Sequence, residues 1–98
     1  MAADARRDAL VERLFNAAVG TWDVLAVYIG DRLGLYRTLA ERGPCMPSEV
    51  ADAAGLSERY VREWLEQQAS SGIVELDRAE GRFALPGGTT RRSWTTPA

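Results

Sequence analysis

Residues 47–67 read PSEVADAAGLSERYVREWLEQ, and the architecture of the chain follows from their spacing. Ala51, Gly55 and Val61 stand in it at spacings of four and six. A small residue on a first helix lets a second helix approach closely. A glycine accommodates the turn between them, and a β-branched residue on the second helix fills the angle. Val50, Ala54, Leu56 and Leu65 complete this wedge, so the pattern predicts a helix-turn-helix with Val50, Ala51, Gly55, Val61 and Leu65 at its core. Ser48 is the expected N-cap of the first helix, with Glu49 in its first turn, where the helix dipole favours an acid. Ser57 and Glu58 repeat that arrangement on the second helix. Tyr60, Val61, Trp64, Leu65 and Ala69 fall on one face of it, and Ser71-Gly72 ends it.

Beyond that point, Ile73–Leu76 and Arg82–Leu85 read as two short strands. The polar segment Asp77–Gly81 joins them with a glycine in the turn. A helix-turn-helix followed by such a hairpin is a winged helix. Towards the amino terminus, Leu35, Tyr36 and Leu39 start a short helix that stops near Arg42-Gly43-Pro44. From Asp4 to Gly34 the chain reads as helix with a break near Gly20, giving two N-terminal helices. The expected fold is therefore mainly α: a winged helix-turn-helix with N-terminal helices and a C-terminal two-stranded β-hairpin. Its parts are residues 1–34, the winged helix over 35–86, and a disordered tail over 87–98.

The N-terminal region carries more apolar surface than a single stripe. Leu10, Leu14, Ala17 and Ala18 lie at helical spacing, followed by Trp22, Leu25, Ile29 and Leu33, and Val24, Val27 and Tyr28 widen the band. In a chain of 98 residues few elements remain to cover it, so a partner surface is expected there, the alternative being a central helix of a monomer core.

Composition removes several chemistries. Hydrophobic residues make up 46% and charged residues 27%, an ordinary globular balance. The longest apolar run, Val24–Ile29, is too short to span a bilayer, and MAADARRDALVERL has no signal core, so no membrane association is expected and the location expected is cytoplasmic. With no histidine there is no imidazole base or ligand. All basic residues are arginine, so no Schiff-base lysine exists. Cys45 stands alone in a loop beside Pro44 and Pro47, without an activating partner, and reads as incidental. Asp23 and Asp31 lie on one side of the long helix and read as its polar face, with Arg32 within reach of Asp31. These absences predict no catalytic residue, no metal site and no cofactor site in the chain.

A winged helix raises the question of DNA. With Val61 inward, Arg59, Arg62, Glu63, Glu66 and Gln67 point outward at about 100° per residue. Glu58–Arg62, Arg59–Glu63 and Arg62–Glu66 are i, i+4 pairs, so these arginines are accounted for by acids of the same helix. The wing offers Arg78 and Arg82 beside Asp77 and Glu80. Tyr60 and Trp64 sit at core spacing rather than as free stacking platforms. The net charge of −2 adds no general attraction for phosphates. The balance favours packing over base reading. The alternative is a small winged-helix DNA-binding transcriptional regulator with Arg59, Arg62, Arg78 and Arg82 on phosphates.

The segments GDRLGLYRTLAE (30–41), PSEVADAAGLSERYVREWLEQQASSGIVE (47–75) and GRFALP (81–86) resemble the N-terminal winged-helix domain of a bacterial class I S-adenosylmethionine-dependent methyltransferase family. The resemblance runs from about Leu14 to Pro86. It implies a homodimer paired through the N-terminal helices, with Leu14, Trp22, Leu25 and Ile29 at the interface. It also implies a role in covering the substrate site of a Rossmann-like catalytic domain that binds S-adenosylmethionine and a small-molecule methyl acceptor. The glycine-rich turn that such a domain places after its first strand has no counterpart here, since Gly87-Gly88 does not have that form. On this reading the chain by itself is inactive and truncated before the catalytic domain.

The tail TTRRSWTTPA (89–98) departs from the composition before it. With one base inserted before the codon of Thr89, a permitted back-translation reads Asp-His-Ala-Ala-Val-Leu, which resembles the segment after the wing in that family. This gives the expectation of a frame change, with a natural short protein or a pseudogene product as the alternatives.

Overall fold

The computed structural model describes residues 2–87. The element order is α1 (Ala2–Arg32), α2 (Leu35–Arg42), α3 (Pro47–Ala54), α4 (Glu58–Ser70), β1 (Glu75–Asp77) and β2 (Arg82–Ala84). The two strands pair antiparallel, with Glu75 opposite Ala84, Leu76 opposite Phe83 and Asp77 opposite Arg82. This is the expected winged helix-turn-helix, and it differs from the sequence reading in four local features.

First, the break expected near Gly20 does not occur: α1 is one helix of 31 residues. A glycine inside a helix costs about 1 kcal/mol relative to alanine. That is too little to interrupt a ladder sustained on both sides, and the Thr21 hydroxyl adds a 2.9 Å bond to the Ala17 carbonyl. Second, α3 begins at Pro47 rather than after Ser48. Proline suits the first helical position because it has no N–H to leave unpaired. Its neighbour Met46 takes the cap position, and its N–H donates to the Glu49 carboxylate over 2.8 Å. Third, the strands are shorter than expected and β1 starts at Glu75, because Ile73 and Val74 are used to end α4. Both of their N–H groups donate to the Gln68 carbonyl, at 2.9 and 3.2 Å. The wing turn is held by the Asp77 carboxylate, which accepts from the N–H groups of Ala79 and Glu80 at 3.0 and 3.3 Å.

The fourth difference concerns Cys45. It is not an idle loop residue: its N–H donates to the Phe83 carbonyl over 2.9 Å and its carbonyl accepts from the Phe83 N–H over 2.7 Å. This two-bond bridge fastens the segment before α3 to the wing, and the Cys45 side chain is buried beneath it. Burial, and then Glu49, push its thiol pKa up against the opposing pull of Arg42 and Arg82, so the thiolate is disfavoured.

The core lies between α2, α3, α4 and the wing. Leu35, Leu39, Val50, Val61 and Leu65 are all buried there, with Val74, Phe83 and Leu85 closing it from the hairpin. The α3–α4 turn works as its sequence suggests. Gly55 takes φ 69°, a left-handed conformation, and the next N–H, that of Leu56, returns to the Ala51 carbonyl over 3.0 Å. Ala51 is buried at the crossing, where a larger side chain would separate the helices. From α1, only Ala26 and Gly30 are buried. The tail expected over 87–98 lies, apart from Gly87, outside the described residues, as does the frame change placed at Thr89. Among the described residues no helix is long and apolar enough to cross a membrane.

Candidate interaction surface

The most unusual feature of the molecule is α1. Residues 2–22 are exposed throughout, so its first half projects from the domain as a bare helix. Four residues singled out in the sequence are open to solvent: Leu14 at 56%, Trp22 at 65%, Leu25 at 50% and Ile29 at 48% exposure. Leu10, Val11, Phe15, Val19, Val24 and Tyr28 share the exposure. Scattered apolar residues on a surface need no explanation, whereas these lie together along one helix.

The second half of α1 is fixed to α4 by polar contacts. The Trp64 indole N–H donates to the Ala26 carbonyl over 2.8 Å. Asp23 accepts from the Gln67 amide at 2.8 Å and from the Ser71 hydroxyl at 2.6 Å. Gly30 makes the approach possible: a Cβ there would stand 2.2 Å from Trp64 Cζ2 and 2.7 Å from Tyr36 Cε2. The Tyr36 and Trp64 rings meet edge to face with centroids 5.1 Å apart. The Tyr36 hydroxyl donates to the side-chain carbonyl of Gln68, which is fully buried. Burial, with a contribution from Asp31, pushes the Tyr36 pKa up to about 12, so the phenol stays a donor.

Between the two helices lies a groove of about 410 Å³, walled by Trp22, Leu25, Ala26 and Ile29 on α1 and by Tyr60, Glu63, Trp64 and Gln67 on α4. A smaller hollow of about 280 Å³ continues it past Ile29 and Tyr60 to Leu33, Leu35 and Leu56. The groove is apolar, and its floor is the buried Trp64 ring.

The arginines weighed as phosphate ligands are largely engaged. Arg62 bonds Glu58 at 2.7 Å, and Arg59 stands 3.7 Å from Glu63. The Arg62–Glu66 pair does not form, because Arg62 turns back to Glu58. Arg82 is bound by Glu49 at 3.0 Å and Glu80 at 3.5 Å. Arg78 is exposed and lines a hollow beside Glu66 and Glu75. The Glu49 carboxyl is held below its ordinary value chiefly by the Met46 N–H, with Arg82 assisting. Arg32 lies over the Tyr28 ring, 5.9 Å from its centroid, and does not pair with Asp31. Among the described residues no group of His, Cys, Asp and Glu could hold a metal ion.

Sequence reasoning found the exposed band but missed what fastens α1 to α4. The spacing of Ala26 and Gly30, two small residues one turn apart, is the signal for that close approach. Nothing local signals the Asp23, Gln67 and Ser71 clasp or the Cys45–Phe83 bridge, whose partners are far apart in sequence.

Four helices with a wedge turn and an antiparallel wing define a winged helix-turn-helix domain. The model of the Rv2258c-like winged helix-turn-helix domain family matches residues 22–92, and the chain belongs to that family. The chain is similar to solved structures of methyltransferases, three of which follow. The mitomycin 7-O-methyltransferase MmcR shares 26% identity and a TM-score of 0.73 over 85% of this chain and 24% of its own. The S-adenosylmethionine-dependent methyltransferase SibL, in its apo form, shares 32% identity and a TM-score of 0.62 over 79% of this chain and 21% of its own. CalO1, a methyltransferase in calicheamicin biosynthesis in its SAH-bound form, shares 30% identity and a TM-score of 0.65 over 83% and 23%. The chain thus spans about a quarter of the length of these methyltransferases or less, and the likeness is to one part of each. No curated protein matches.

Proposed function

We propose that this domain is the non-catalytic dimerisation and substrate-capping module of an S-adenosylmethionine-dependent methyltransferase. Its α1 helix pairs two copies, with Leu14, Trp22, Leu25 and Ile29 in the contact, and the paired helices cover the small-molecule acceptor held by the catalytic part of the enzyme. Methyl transfer and cofactor binding belong to that part, and no residue of this chain is assigned to either.

The observation that carries the proposal is the uncovered apolar band of α1. A helix without tertiary cover is marginal in water, and most helical stability in proteins comes from packing an apolar face. The likeness to three methyltransferases supports the enzyme context. The ion pairs of Arg59, Arg62 and Arg82 support a packing role for α4, since a phosphate would compete with carboxylates bonded to Arg62 and Arg82 and with Glu63 near Arg59.

Sedimentation equilibrium tests the pairing: the chain forms a dimer, and Leu25→Glu makes it a monomer. A monomeric parent chain refutes it. Capping is tested by a chimera in which this domain replaces the matching part of CalO1. The chimera retains dimerisation and methyl transfer, and loss of acceptor binding with the dimer intact refutes capping. Fluorescence anisotropy on duplex DNA addresses the regulator alternative, which requires affinity that falls steeply with added salt.

A further inference from the structure

The exposed side of α1 contains a seam that is complementary to itself when reversed. Starting at Val11, apolar or small residues recur four and three apart: Phe15, Ala18, Trp22, Leu25 and Ile29, all exposed. This is the spacing of a helix that packs against another helix along its length. Extending it three residues each way reaches Asp8 and Arg32, both exposed.

Positions equidistant from Gly20 match one another. Asp8 mirrors Arg32, Val11 mirrors Ile29, Phe15 mirrors Leu25, and Ala18 mirrors Trp22. An antiparallel pair centred there sets acid against base at both ends. It sets large apolar against large apolar in between, and alanine against tryptophan beside the axis, where the bulkiest side chain meets the smallest. A parallel pair would place Asp8 against Asp8 and Arg32 against Arg32, with Trp22 against Trp22. The antiparallel register also brings the second copy's Phe15 and Val11 to Leu25 and Ile29, one wall of the 410 Å³ groove whose other wall is Tyr60 and Trp64.

We infer that two copies pair antiparallel through α1 about a two-fold axis at the level of Gly20, with Phe15 of each copy seated in the α1–α4 groove of the other. The paired length, Asp8 to Arg32, is about 36 Å at the helical rise. This rests on the dimerisation reading above and adds its direction, register and docking groove. Charge selects the register: a shift by one seam position removes both terminal ion pairs and sets Trp22 against bulkier neighbours.

Charge reversal and cross-linking test this on the full chain. Asp8→Arg and Arg32→Asp each set like charges together twice per dimer, and each weakens dimerisation about tenfold. The double variant D8R/R32D restores it to near the parent value. Circular dichroism checks that α1 stays helical in all three. In a Cys45→Ala background, F15C/L25C gives a covalent dimer on mild oxidation, while F15C/W22C and F15C alone do not. The two positions of each pair are too far apart on one helix for an intrachain bond. A dimer that ignores the charge reversals, or that cross-links through F15C/W22C, overturns the register and leaves the dimerisation reading standing. A parent chain that is monomeric overturns both.

Discussion

Replacing Gly30 by alanine should destabilise the domain, whereas the same replacement at Gly20 should stabilise it, although both lie in α1. A Cβ at residue 30 meets Trp64 at 2.2 and 3.0 Å and Tyr36 at 2.7 Å. Trp64 is not free to withdraw: its indole N–H is bonded to the Ala26 carbonyl one turn earlier on α1, and its ring abuts Tyr36. Overpacking of a fitted core costs roughly 1–3 kcal/mol. Drawing the indole off its carbonyl adds about 1 kcal/mol or more for a buried donor left unpaired. Helix propensity returns about 1 kcal/mol. The net loss is about 2 kcal/mol, or roughly 8–16 °C in midpoint for a domain of this size. Around Gly20 nothing lies within 4 Å of a built Cβ, so only the propensity gain of up to about 1 kcal/mol remains. Urea and thermal unfolding at one fixed protein concentration read both values, the concentration being held because a dimer's midpoint depends on it. A Gly30→Ala protein as stable as the parent, or two variants that shift in the same direction, would refute the close approach of α1 to α4.

Tyr36→Phe removes the donor to buried Gln68 and should cost about 1–3 kcal/mol in urea unfolding. With the parent protein, stability should fall as pH rises from 10 towards 12, because the native state keeps a phenolic proton that the unfolded chain releases near 10. Tyr36→Phe should flatten that alkaline slope. At the acid end the sign reverses: Glu49 is held below 4.5 in the folded state, so its contribution is present above that pH and lost as pH falls through the lower folded value. Glu49→Gln should reduce the acid dependence in a pH series of thermal midpoints. Asp23→Ala releases Gln67 and Ser71 and should cost about 1 kcal/mol, with faster hydrogen exchange of α1 amides near residue 23 and little change in the wing.

The winged helix is legible in the residues alone, because every signal for it is local. Ala51, Gly55 and Val61 state the α3–α4 turn through steric size and one left-handed residue, and the wing follows from two short strands around a polar turn. The sequence also showed that the amino-terminal helix carries more apolar surface than one stripe, but left a partner surface and a monomer core both open, and its exposure is a finding of the fold. It misplaced the α3 cap and put a break at Gly20, because weak propensities lose to proline at the first helical position and to a long hydrogen-bonded ladder. How α1 meets α4 depends on contacts that exist only in the folded chain. Trp64 reaching Ala26, Asp23 clasping Gln67 and Ser71, and Cys45 bridging Phe83 are each made between residues roughly forty positions apart. No periodicity specifies such a contact. It exists because the folded core carries α4 to the side of α1 where Ala26 and Gly30 leave room for an indole ring.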